Sequence, residues 1–266
     1  MKETLKIAVA GKGGVGKTLI AGALAEFFAR QDFTVLAIDA DPTPNLAVTL
    51  GLSVEEASKI VPISENAPLI ELKTQTSIPG VYNLAFSVED IVEQFTVRTP
   101  YKVNLLVMGT VKSAGAGCMC PANTVIRALL HHLIVKRKEA VVTDMEAGLE
   151  HMGRGTAEHV ETMLVVADSS RKSLETTKKL HDLAKQVGIK ECLIVGNKVT
   201  SQHEGEYIEG FAKMNRLELL GLVPYDQVIL KADMQGETPL KYAERSKAIA
   251  AIRGMGEKLI QVGSKS

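Results

Sequence analysis

Gly11-Lys12-Gly13-Gly14-Val15-Gly16-Lys17-Thr18 follows the short apolar run Leu5–Ala10 and precedes Leu19–Arg30, a segment with helical spacing. Strand, glycine-rich loop and helix in that order are the context in which Gly-x4-Gly-Lys-Thr binds phosphate. The glycines let successive backbone N–H groups turn inward around the phosphates at the positive end of a helix. In this arrangement Lys17 neutralises the β and γ oxygens and Thr18 holds Mg²⁺, while Gly11, Gly13, Gly14, Val15, Gly16 and Leu19 complete the expected nucleotide-binding set. A second lysine, Lys12, stands inside the loop.

The chain has 266 residues, enough to bury a large core, and no low-complexity linker interrupts it. Residues 1–266 therefore read as one P-loop domain, with a less regular inserted segment at about 55–98. Basic and acidic side chains balance at 31 each, so no global positive field recruits nucleic acid or an anionic membrane. The apolar run before the loop is too short for a secretory signal, and no uninterrupted apolar segment approaches a membrane span. These features predict a soluble cytoplasmic protein. Three cysteines, two of them in Cys118-Met119-Cys120, do not form a disulfide framework and suggest metal or redox chemistry.

Strand-like runs recur at Thr34–Asp39, Asn104–Met108, Ala140–Asp144, Thr162–Ala167, Glu191–Gly196 and Glu218–Leu222. Helical spacing marks Pro121–Val135, Arg171–Val187 and roughly Pro239–Gln261. The first of these helices opens on proline and the second ends at Gly188, as caps predict. This alternation predicts an α/β fold with a mostly parallel sheet flanked by helices, and ligands at the carboxyl ends of the strands. The tail Ala248–Gln261 is amphipathic and interrupted by Gly254 and Gly256, which reads as a packed terminal helix.

Two acidic loops belong at that end of the sheet. Asp39-Ala40-Asp41-Pro42 follows the second strand, and Asp144-Met145-Glu146-Ala147-Gly148 follows the strand Ala140–Thr143. Phosphoryl transfer needs an oriented water and charge neutralisation at the γ-phosphate. Asp41 is assigned to the attacking water, Asp39 and Asp144 to the surroundings of Mg²⁺ through its waters, and the Gly148 N–H to the γ-phosphate. Helix capping or turn formation is the structural alternative for each aspartate.

Lys12 makes the loop Lys-Gly-Gly-Val-Gly-Lys-Thr, which resembles the deviant Walker A of the MinD/ParA/nitrogenase iron protein class of dimeric ATPases. The resemblance implies a P-loop NTPase that binds ATP and ADP, hydrolyses ATP, and works as a face-to-face homodimer in which Lys12 crosses to the partner's nucleotide. Asn197-Lys198 resembles the class's adenine-recognising segment, and Val223-Pro224-Tyr225-Asp226 its second base-contacting loop, so Asn197, Lys198, Pro224 and Tyr225 are expected at the base. Gly117-Cys118-Met119-Cys120 and the stretch Asp144–Thr156 are similar to the CooC-type accessory proteins of carbon monoxide dehydrogenase. This resemblance spans nearly the whole chain. It implies an ATPase that assists nickel insertion into carbon monoxide dehydrogenase, or, in a sister branch, into acetyl-CoA synthase, with Cys118 and Cys120 binding metal at the dimer interface. Leu19 departs from the second hydroxyl residue that many relatives carry there.

Two thiolates fill half of a four-sulfur site, and a twofold axis supplies the other half: tetrahedral for Zn²⁺, closer to square-planar for Ni²⁺. Cys192 lies in a predicted strand and reads as core. His131, His132 and His151 have no ligand spacing to one another, and Met119 reads as a spacer. Three other readings stay open at this level: a positioning or partitioning ATPase, an electron-transfer ATPase with an iron–sulfur cluster between its subunits, and a non-catalytic zinc-stapled dimer.

Overall fold

Long apolar strands with no polar face need cover on both sides, and the chain supplies it. The computed structural model describes residues 5–77, 82–83, 86–109, 121–136, 140–145 and 160–263. Its strands are β1 (Lys6–Gly11), β2 (Val35–Ala40), β3 (Val97–Arg98), β4 (Asn104–Val107), β5 (Ala140–Met145), β6 (Thr162–Ala167), β7 (Glu191–Val199) and β8 (Glu218–Pro224). They form an eight-stranded sheet in the order β3-β4-β2-β5-β1-β6-β7-β8. All pairings are parallel except the short edge strand β3, which runs antiparallel to β4. The predicted fold class is thus observed, and the six strand runs expected after β1 appear within a few residues of their expected bounds.

Side chains alternate across the sheet and build two cores. Ile7, Val9, Ala37 and Val142 face the helices Lys17–Arg30 and Lys247–Gly263. Ala8, Ala10, Ile38 and Val141 face the other layer, which contains Pro121–His131, part of Arg171–Gln186, and Ile63, Leu69 and Ile91. Those last three residues come from the segment at about 55–98, which consists of short helical pieces (Val54–Ser58, Ile63–Glu65, Ala67–Thr74, Glu89–Phe95) and β3. Its function within the fold is to close one face of the sheet beside β4.

Several expected elements differ in detail. The run Pro239–Gln261 is two elements: a 3₁₀ turn, Pro239–Arg245, and a helix that starts at Lys247. Ser246 separates them, because its hydroxyl accepts the Ile249 N–H and donates to Asp226 Oδ2 at 2.8 Å. Gly254 and Gly256 do not interrupt that helix. Gly256 is a close-packing position, since a Cβ there would collide with the Phe27 ring. Pro121–Val135 leaves α geometry after His131 and continues as a π turn over His132–Lys136, with Leu129, Leu130, Leu133 and Ile134 all buried. Helices Gln202–Met214 and Gln227–Met234 add to the helical runs named from the sequence. Among the described residues no helix is long and apolar enough to cross a membrane.

The helix that leaves the phosphate loop, Lys17–Arg30, is tied to Lys247–Gly263 by charge as well as by packing. Glu26 is 1% exposed and pairs with Arg30, while Arg253 reaches its two oxygens at 3.3 and 3.4 Å. A carboxylate this buried is tolerated because both guanidinium groups compensate it. Replacing Arg253 by Met should lower the unfolding free energy by about 3 kcal/mol, because an undercompensated charge remains. Adding Glu26→Met should recover much of that loss, with urea denaturation of the nucleotide-free protein as the measurement.

Candidate functional site

The parallel register decides which residues meet. Asp39 on β2 is paired with Asp144 on β5, and Asp144 with Val9 on β1, so both carboxylates stand beside the strand that leads into the phosphate loop. Both residues are fully buried. The Asp39 side chain accepts the Leu46 N–H at 2.9 Å and the Asp41 N–H at 3.2 Å, which folds the loop after β2 back onto its strand. Burial pushes the Asp39 carboxyl up to about 6, against the backbone donors at Leu46 and Asp41 that pull it down.

Asp144 is less well compensated. Neither of its carboxylate oxygens receives a hydrogen bond among the described residues. Burial pushes it up to about 7; the nearby Thr18 hydroxyl and Lys17 ammonium lower it, and Asp39 and Asp41 raise it further. Two hard oxygen donors without partners, beside a threonine hydroxyl and a second carboxylate, match the ligand preference of Mg²⁺. Lys17 itself is buried at the start of the helix Lys17–Arg30.

The loop is shaped for phosphate. Gly16 occupies the left-handed region (φ 94°, ψ 31°) at the helix N-cap, and a Cβ there would collide with the Asn197 amide nitrogen. Gly13 and Gly14 are exposed, and Lys12 is half-buried with its carbonyl accepting the Val15 N–H at 3.4 Å. Asp41 is partly exposed, and its Oδ1 accepts the Thr43 N–H at 2.9 Å. The turn-forming alternative for Asp41 is therefore realised by one of its oxygens.

Beside the loop lies a cleft of about 590 Å³ lined by Gly16, Thr18, Leu19, Asn197, Lys198, Pro224 and Tyr225. All four residues expected at the base thus share one cavity with the loop. Sequence reading missed its apolar wall, Val54, Ile229 and Leu230, because these residues come from short helices with no motif of their own. Asp226, in the second expected base loop, is spent structurally: it caps Gln227–Met234 through Val228 N at 2.9 Å and binds Ser246.

Strand β7 was expected to end at Gly196 but continues to Val199, with a register shift against β8 between Gly196 and Val199. Cys192 is half-buried against the core, and burial pushes its thiol up to about 12. His132 is buried, with Nδ1 3.4 Å from Glu89, and His131 is exposed. Cys118, Met119, Cys120, Gly148 and His151 lie outside the described residues. The residues just after β4 are fixed to β2: Met108 N and Gly109 N both donate to the Asp39 carbonyl, at 2.8 and 3.1 Å.

Residues 6–240 match the CobQ/CobB/MinD/ParA nucleotide binding domain. The chain is 40% identical over 259 residues to the carbon monoxide dehydrogenase accessory protein CooC of Rhodospirillum rubrum, covering 96% of this chain and 97% of that one. It is 42% identical over 237 residues to an uncharacterized ATP-binding protein of Methanocaldococcus jannaschii, covering 88% and 90%. Among solved structures, the MinC:MinD cell division complex of Aquifex aeolicus contains a chain with the same fold, at TM-score 0.69 and 18% identity over 96% of each chain.

The two raised carboxyls set a pH dependence whose sign is opposite to that of ordinary salt-bridged aspartates. An aspartate titrating near 3.8 when unfolded and near 6 or 7 when folded stabilises the fold below pH 3.8 and loses that contribution as pH rises through the folded value. Asp144→Asn should therefore be more stable than the unsubstituted protein at pH 8 without nucleotide or Mg²⁺, with the difference shrinking toward pH 4. Urea titrations across that range measure it.

Proposed function

Because the chain belongs to the CobQ/CobB/MinD/ParA nucleotide-binding family, as a CooC-type ATPase within it, we propose that it is a metal-handling accessory factor driven by ATP. In this reading it carries nickel, or zinc in its place, on Cys118 and Cys120 of two subunits and assists nickel insertion into carbon monoxide dehydrogenase. Acetyl-CoA synthase is the other candidate client. The near full-length likeness to a carbon monoxide dehydrogenase accessory protein, in a chain that contains Cys118-Met119-Cys120, carries this proposal.

The chain's own residues account for the ATPase step. Thr18 would hold Mg²⁺ directly, and Asp39 and Asp144 would hold it through water; the ion supplies positive charge at the β and γ oxygens. Lys17 neutralises the same oxygens from the loop side. Asp41, with one oxygen in the Thr43 turn, has its second oxygen to orient the attacking water. Gly148 N–H serves the γ-phosphate, and Lys12 crosses to the partner subunit's nucleotide, where charge develops as the γ-phosphoryl group leaves. The base occupies the cleft against Pro224, Tyr225 and the apolar wall, with Asn197 and Lys198 also in its lining.

A soft Cys-x-Cys pair needs a second pair to exclude competing ligands, so metal and ATP both favour the closed dimer and raise each other's affinity. The Asp39 carbonyl, bonded to Met108 and Gly109, supports a path from the nucleotide to the cysteine-bearing segment. Hydrolysis then loosens the metal.

The test is elemental analysis on size-exclusion fractions of anaerobically purified protein, with and without nucleotide. One zinc or nickel per dimer is expected, lost in Cys118→Ser/Cys120→Ser. No metal with ATP-driven dimers intact would favour a positioning ATPase. Lys12→Ala should retain nucleotide binding and lose about a thousandfold in ATP turnover, the scale of a missing charge supplied in trans. Lys17→Ala should fail at nucleotide binding.

A further inference from the structure

A phosphate loop works only when its N–H groups face the phosphates, and nothing in a glycine-rich stretch enforces that direction by itself. Each peptide unit is planar and trans, so its carbonyl and its N–H point opposite ways. Fixing the carbonyl of residue 14 therefore fixes the N–H of Val15, and fixing the carbonyl of Val15 fixes the N–H of Gly16. The structure holds both. Lys198 Nζ donates to the Gly14 carbonyl at 2.7 Å, and Asn197 Nδ2 donates to the Val15 carbonyl at 2.7 Å.

The backbone that delivers these two donors is unusual in the same place. Lys198 has φ 60°, one of few non-glycine residues among those described in the left-handed region. The β7–β8 register shifts between Gly196 and Val199, a bulge that re-aims side chains out of the sheet's alternation. Gly16 lacks the Cβ that would push Asn197 away. Bulge, left-handed lysine and glycine contact serve one arrangement.

We propose that Asn197 and Lys198 are positioning residues for the phosphates: a latch on the back of the loop that fixes two successive peptide planes, closing the Val15 N–H on the Lys12 carbonyl and leaving the Gly16 N–H to face the nucleotide. This role is distinct from the contact with the base and acts even on a ligand that has none. The amide orientation of Asn197 is dictated by chemistry, because a carbonyl accepts and only the nitrogen can donate to it.

Lys198 is the residue to test, being exposed and so replaceable without a core defect. Inorganic tripolyphosphate and ATP are each competed against a fluorescent ATP analogue, with Mg²⁺. In Lys198→Met both inhibition constants should rise together, by about tenfold, the scale of one charge-assisted hydrogen bond. A rise for ATP with tripolyphosphate unchanged would overturn the latch and leave a base contact. Amide hydrogen exchange of the nucleotide-free protein reads the loop without any ligand. Peptides covering residues 11–18 should exchange faster in Lys198→Met and in Lys198→Gly, and unchanged exchange would overturn the proposal. Lys198→Gly separates latch from strain: glycine suits the left-handed backbone, so global stability in urea should hold or rise while the loop still loosens.

Discussion

Two buried carboxylates set side by side by a parallel register are the constraint around which this site is arranged. β2 and β5 place Asp39 and Asp144 in the same row, at the depth where β1 gives way to the phosphate loop. Backbone donors satisfy Asp39, whereas Asp144 is left with two orphaned oxygens. Unpartnered charge in such a place costs stability, and a cation with a polyphosphate would offset that cost. A ligand bound there would then add to the stability of the sheet.

The strand–loop–helix order around the phosphate loop, the sheet, and the strand-end positions of Asp39 and Asp144 were legible because each obeys a local rule. Glycine spacing, apolar runs and residues at strand ends can be read without knowing what lies across the fold. What escaped depends on distant partners. Gly254 and Gly256 look like helix breakers until Phe27 is seen to fill the space a Cβ would take beside Gly256. Asp226 looks available for the base until Ser246 and Val228 are found on its oxygens. Likewise Val54, Ile229 and Leu230 carry no motif, yet they make the wall of the cleft beside Tyr225. The bulge at Lys198 leaves no mark in composition, since a left-handed lysine is stabilised by its contacts and not by its type.

The phosphate loop and strand β2 are each held at backbone carbonyls. Gly14 and Val15 are held from β7, and the Asp39 carbonyl is shared by Met108 and Gly109 of the strand that leads toward Cys118 and Cys120. The loop backbone is therefore tied to β7 by two side-chain donors, and β2 to the residues just after β4 by main-chain hydrogen bonds.

The pairing of Glu26 with Arg253 has a consequence for the order in which the protein can be assembled. These residues are 227 positions apart, and the Phe27 ring packs at Gly256 over a similar separation. The helix that anchors the phosphate loop thus has its buried flank covered by a segment made 227 residues after Glu26. Until that segment docks, Glu26 lacks one of its cations and the Phe27 ring lacks its seat. The loop can be synthesised early, but it rests on a finished helix pair only after the residues around Arg253 and Gly256 have been made and have docked.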